Sequence, residues 1–271
     1  MAAVLPLLPE RHRAPPRPAL LWILGLAAVA SCAVTAGLAS VNGQLYQPAL
    51  RVLLVSWITL PYIVAGIVAW KRRPDSAFGP LMILAGFVIQ LSILQWTNQP
   101  VLNTIGQLCD LLVAAVWLHV FLAYPSGRLA GRAERVVVIM AYVAAVGLQL
   151  VILMLGGFDD RHLLTVVERR TAAEAMQNVQ LLTLSALALI GVVLLWWRWS
   201  ALPRWQRRRP AQILINCFSL SLVMLAALLT AGAFQLPGFE IIRLATFAVA
   251  GLAPLAFLAG LLDARLAKGG V

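Results

Sequence analysis

Eight stretches of mostly apolar residues, each about 20 residues long, follow one another along this chain, and the short segments between them carry most of its charge. Twenty residues of helix rise about 30 Å, the thickness of the hydrocarbon core of a bilayer. A helix at the surface of a soluble domain instead keeps a polar side. Composition agrees: 62% of the 271 residues are hydrophobic, 11% are charged, and the mean hydropathy is +0.89. So little polar surface does not cover a soluble domain, and so much apolar side chain excludes a disordered one. The expected fold is all-α: a polytopic transmembrane helix bundle of about eight spans, in the cell (inner or plasma) membrane.

The spans are expected at about 19–39, 48–70, 76–97, 104–123, 135–155, 178–199, 211–233 and 238–262. Residues 1–18 form a Pro- and Arg-rich tail expected to lack order, 19–262 the membrane domain, and 263–271 the start of a cytoplasmic linker. A secretory signal peptide is the rival reading of the first span, with Val34 and Ala36 as its cleavage site. Against it, the apolar stretch exceeds the roughly 7–15 residues of a typical signal core.

The formal charge of +11 would point to nucleic acid on a soluble chain. Here its placement points to topology, and no nucleic-acid partner is expected. Sixteen Lys and Arg fall on one side of the spans, among them Lys71, Arg72, Arg73, Arg128 and Arg204. Five fall on the other: Arg51, Arg161, Arg169, Arg170 and Arg243. By the positive-inside rule the first set is cytoplasmic, and an even span count places both termini there.

Several chemistries are set aside by residue type. Both lysines, Lys71 and Lys268, lie outside the spans, so no retinal Schiff base is available. His12, His119 and His162 are scattered over a tail, a span and a loop, unsuited to a haem pair. Cys32, Cys109 and Cys217 sit in separate apolar blocks with no metal or redox spacing. No phosphate-binding Gly-rich motif occurs. No catalytic residue, cofactor or metal is assigned.

Packing should use small and amide side chains. Ala28, Cys32 and Ala36 recur at four-residue spacing on the first span, and Gln90, Gln149 and Asn216 are expected to hydrogen-bond between helices. His119 is read as a hydrogen-bonded packing residue. Trp22, Trp57, Trp70, Trp96, Trp196, Trp197 and Trp199 lie near span ends, as an aromatic belt requires.

Charges inside the spans mark function by default. Asp110 stands about two turns inside the outer end of the fourth span, and Arg243 is at similar depth in the eighth. Arg51 and Glu240 lie shallower, with Gln95 and Gln107 level with them. Two readings stand. The six can line an outward-facing site for a small polar ligand or a proton, or Asp110 can pair with Arg243 or Arg51 merely to fix helix register.

Three stretches together resemble the multi-spanning membrane input region of bacterial two-component sensor histidine kinases of high-GC Gram-positive type. They are KRRPDSAFGPLMILAGF, WLHVFLAYPSGRLAGRAERVVVIMAYV and WRWSALPRWQRRRPAQIL, followed by PLAFLAGLLDARLAK. The most specific part is the turn Pro125-Ser126-Gly127-Arg128. The resemblance spans about Arg72 to Lys268. It implies a sensor that passes a signal through its last helix, past Asp263, Arg265 and Lys268, to a cytoplasmic kinase core that this chain does not contain. It also implies a homodimer formed through the cytoplasmic extension, and a response regulator as partner only where a kinase core follows. The bilayer is the other expected partner. Two alternatives remain: a small-solute transporter, and a stand-alone structural or partner-binding membrane subunit using the basic loop Arg204–Arg209.

Overall fold

Proline opens three of the long apolar segments and fixes where their helices begin: Pro18 for α1, Pro48 for α2 and Pro100 for α4. At the first helical position its missing N–H costs nothing and its φ is already helical. The computed structural model describes residues 16–43, 45, 47–158, 162–201 and 209–266, except the side chains of 209–211 and 260–266. The tail through residue 15, Arg161, most of the basic loop (204–208) and Lys268 lie outside the described residues, as do the side chains of Asp263 and Arg265.

Ten α-helices make up the described fold, with no strand among the described residues: α1 (Pro18–Val41), α2 (Pro48–Arg72), α3 (Phe78–Ser92), α4 (Pro100–Leu108), α5 (Leu112–Ala123), α6 (Arg132–Tyr142), α7 (Gln149–Met154), α8 (Arg170–Ser200), α9 (Arg209–Ala233) and α10 (Phe239–Leu266). A 3₁₀ turn (Ile93–Trp96) lengthens α3, and a π-helical stretch (Val143–Leu148) joins α6 to α7. Eight helical runs are long and apolar enough to cross a membrane. The chain is a multi-pass membrane protein.

The spans close into a ring around one of their number. α2 packs along α3, α8 along α9, α9 along α10, and α10 returns to α2. α5 sits inside, touching α3, α6, α8 and α9, and nine of its twelve residues are buried. A helix apolar on every side belongs at such a centre. α1 stands apart against α2, with 11% of its apolar window buried. Its packed side is Ala28, Thr35 and Ala39, while Ala36 is exposed, so the Ala28/Cys32/Ala36 stripe is not the contact face.

Gln90 holds the outermost helices together. Its amide donates to the Thr59 hydroxyl at 2.9 Å and its carbonyl accepts from Thr35 at 2.6 Å, joining α1, α2 and α3. Gln149 likewise donates to the Gln107 backbone carbonyl at 2.7 Å, and His119 Nδ1 lies 3.1 Å from the Tyr142 hydroxyl. Asn216 departs from this pattern and is exposed on α9. Trp22, Trp57, Trp196 and Trp197 are exposed as a belt would be, whereas Trp199 is buried. The Trp57 indole also donates to the Ala248 carbonyl of α10 at 3.1 Å.

Three helix boundaries differ from expectation. α8 begins at Arg170, eight residues before the apolar block, because Thr171 to Gln177 continue the helix beyond the apolar layer. The fifth span is not a uniform helix. Its π-helical stretch frees carbonyls, and buried Gln180 of α8 donates to that of Ala144 at 2.9 Å. The fourth span is broken in two, at Cys109–Leu111.

The Pro125–Arg128 turn docks on the start of α3. Ser76 donates to the Ser126 carbonyl at 3.0 Å, and the Ser126 hydroxyl receives the Arg128 N–H at 3.2 Å. Gly127 has φ +75°, and a Cβ there would lie 2.1 Å from the Phe78 nitrogen. Only glycine meets both demands. Arg128 opens the segment that enters α6.

Candidate functional site

The break in the fourth span puts an acid where a straight helix would not. α4 crosses the end of α3 so closely that a Cβ on Gly106 would lie 2.0 Å from the Gln95 nitrogen. One turn on, the chain tightens: Asp110 N–H bonds to Gln107 O and Leu112 N–H to Cys109 O, both three residues back. Gln107 and Asp110 would share a face of an unbroken helix. After the tightened turn, Asp110 faces inward and accepts a hydrogen bond from the Gln95 amide at 2.9 Å. Gln107 is buried toward α7 and lies outside the resulting cavity.

That cavity holds about 680 Å³ in the half of the bundle away from the Lys- and Arg-rich turns. α2 contributes Arg51, the end of α3 contributes Gln95 and Trp96, and the span break contributes Asp110. α8 adds Gln177, and α10 adds Phe239, Arg243 and Phe247. Leucines of α9 form most of one wall, and the α9–α10 turn supplies a rim at exposed Gln235 and Leu236. Trp117 of α5, 1% exposed, lies at its deep end, and its indole Nε1 has no hydrogen-bond partner.

The charged side chains do not pair as the register reading requires. Arg243 bonds Glu240, three residues away on its own helix, and no ion pair joins Asp110 to Arg243 or Arg51 among the described residues. Arg243 remains within electrostatic reach of both Arg51 and Asp110. Arg51 has a buried Nε with no acceptor. Four of the six sequence-selected residues, Arg51, Gln95, Asp110 and Arg243, therefore face one cavity. Glu240 braces Arg243 from the rim, and Gln107 is elsewhere.

A layer of aromatic rings fills the bundle between this cavity and the Arg-rich end. Tyr62 stacks on Trp117 with centroids 6.3 Å apart and planes 10° from parallel. Next along α5, Phe121 stacks on Phe218 at 4.5 Å. Tyr124 then meets Phe78 at 5.5 Å, and Phe78 meets Phe257 at 5.1 Å. These rings come from α2, α3, α5, α9, α10 and the turn after α5.

Sequence reasoning missed one acid. Glu134, buried on the Arg-rich side, accepts the N–H groups of Ala130 at 2.7 Å and Gly131 at 3.1 Å. Its other oxygen stands 3.8 Å from Arg198, which also donates to the Leu122 carbonyl. The signal was available: a Glu three residues after the glycine that precedes α6 has the spacing of a capping box. Comparison with protein-family models, with curated proteins and with solved structures returned no match.

Proposed function

We propose that this chain is a membrane-embedded sensory input domain, in which occupancy of the cavity is passed to the cytoplasm as a shift of α10. The sequence resemblance to two-component histidine kinase input regions supplies the class of output. The observation that carries the reading is the position of Arg243. It faces the cavity from a helix that continues without interruption to Leu266, near where the resemblance places a kinase linker. The Lys and Arg bias supports a cytoplasmic position for that end.

The wall between ligand and output helix is closely fitted. A Cβ on Gly251 would lie 2.2 Å from Trp57 Nε1, and Trp57 is bonded to Ala248 one turn earlier. α2 and α10 therefore move as a coupled pair, and a ligand that reaches Arg51 and Arg243 touches both. A ligand shifts such an equilibrium only by its differential contact with the two arrangements.

A transporter is the second reading, favoured by one observation: a broken span with a charged residue at the break, beside a cavity, is how many carriers build a substrate site. The stacked rings that lie between the cavity and the Arg-rich end argue against it. A kinase core fused after Lys268, in proteoliposomes, tests the first reading through its autophosphorylation rate. The sensor reading expects Asp110→Asn and Arg243→Gln to change that rate severalfold. An unchanged rate under every stimulus, together with solute flux abolished by Asp110→Asn, would transfer the case to the transporter.

A further inference from the structure

Two guanidinium groups face the same cavity, and only one has a carboxylate. Arg243 has Glu240. Arg51 has no side-chain hydrogen bond or ion pair among the described residues, and its Nε is sealed from solvent without an acceptor. Asp110 is the remaining charge on the cavity wall, and Gln95 already holds one of its oxygens. Like charges sharing one cavity repel, and a guanidinium whose Nε is sealed without an acceptor is left short of a hydrogen bond. Both costs fall when an anion occupies the space between the two. Phosphate and carboxylate oxygens match the guanidinium fork.

The rest of the cavity fits an apolar body. Beneath the arginines the lining is mostly leucine, isoleucine, valine and aromatic, down to Trp117, with Ser92, Gln95, Asp110 and Gln177 as its polar members. Its volume of about 680 Å³ lies within the range of small-molecule sites, roughly 300–1,000 Å³. The unpartnered Trp117 Nε1 offers one donor to a polar atom far from the head group.

We propose that the cavity binds an anionic amphiphile, with a phosphate or carboxylate head between Arg51 and Arg243 and an apolar body against α5 and α9. This names the stimulus of the sensor reading and rests on it. A cationic amphiphile meets two guanidinium groups at the same place and is rejected. The shared head-group chemistry has two sources, a membrane phospholipid and a dissolved amphiphile, which the experiment separates.

The full chain in phosphatidylcholine nanodiscs is titrated with dodecyl phosphate, dodecanoate, dodecyltrimethylammonium and inorganic phosphate, with thermal stability as readout. Dodecyl phosphate should raise Tm, and Arg51→Gln should weaken that effect by roughly tenfold to a hundredfold. Arg51→Lys, which keeps the charge without the fork, should fall between. Leu228→Trp, which fills the apolar part and leaves the charges alone, should abolish the effect of dodecyl phosphate. Phosphatidylglycerol nanodiscs that stabilise the wild type but not Arg51→Gln identify the source as a lipid. Equal stabilisation of wild type and Arg51→Gln, or an equal effect from inorganic phosphate alone or from the ammonium amphiphile, overturns the proposal. Binding that leaves the output of the fused kinase core unchanged overturns the sensor reading and keeps the ligand class. Output that responds to Arg51→Gln with no binding of any anionic probe does the reverse.

Discussion

The side-chain amide of Gln95 donates to the carboxylate of Asp110 at 2.9 Å, tying the last turn of the third span to the break in the fourth. A neutral donor thus satisfies part of the acid where one of the two sequence readings placed an arginine. Gln95→Leu should destabilise the protein by about 1–3 kcal/mol, because it strips a buried acceptor of its donor. Gln95→Leu with Asp110→Leu should cost less than the sum of the single changes. Unfolding midpoints of the four proteins in detergent give the cycle, and additive losses would mean that the bond contributes nothing.

Gly127→Ala should be among the most damaging single changes outside the membrane-spanning helices. It places a side chain at positive φ, costing about 1–2 kcal/mol, and drives it into the backbone of Phe78. Gly131→Ala, where the nearest atom to an added Cβ lies at 3.9 Å, should be nearly silent. Folded yield and Tm of the two variants make the comparison. Equal behaviour would dissociate the Pro125–Arg128 turn from the packing of α3.

Gln180 is wholly buried and bonded to a carbonyl that the π-helical stretch releases. Gln180→Leu should cost about 0.6–1.7 kcal/mol, the scale of interhelical hydrogen bonds measured within membranes. Amide exchange within Val143–Leu148 should rise with it. A loss of stability without that local change would put the cost elsewhere on α8.

Gly251→Ala should push Trp57 off α10, destabilise the bundle and raise the exchange of amides on α2 and α10 together. Trp57→Ala removes the ring that an alanine Cβ would strike, so Gly251→Ala should cost less in that background. The same cost in both backgrounds would locate the strain outside the α2–α10 seam.

Tyr124 caps α5 among three phenylalanines, and burial holds its phenol above the ordinary value, with Arg73 and Arg198 opposing. The unfolded chain ionises first, so this contribution to stability is complete below about pH 10 and is lost as pH rises through the folded-state value. Tyr124→Phe should flatten the alkaline fall in Tm, and identical profiles would assign that fall to other groups.

Span number and order were legible because hydropathy reads burial in lipid directly. The break at Cys109–Leu111 was not, since neither glycine nor proline marks it. It follows from α4 crossing α3 at Gly106, a tertiary contact. For the same reason Gln107 was grouped with Asp110 although the structure turns them apart. The start of α8 was misplaced because hydropathy reports where the apolar layer ends, and a helix of Thr, Ala, Glu and Gln can continue past it. Arg51, Gln95, Asp110 and Arg243 were found because charge and amide groups are scarce in such spans, though their partners depended on helix neighbours that no linear pattern reveals.

The thin attachment of α1 bears on how the protein is made. With 11% of its apolar window buried and polar tethers at Gln90 and, from its C-cap Asn42, the Trp96 carbonyl, α1 gains most of its stability from lipid. It can partition into the bilayer as soon as it leaves the translocon, before any later segment is synthesised. Its main packing partner, α2, follows it directly in the sequence, and the Gln90 bond closes once the third span has emerged. The first helix in the sequence is therefore held by lipid before it is held by protein.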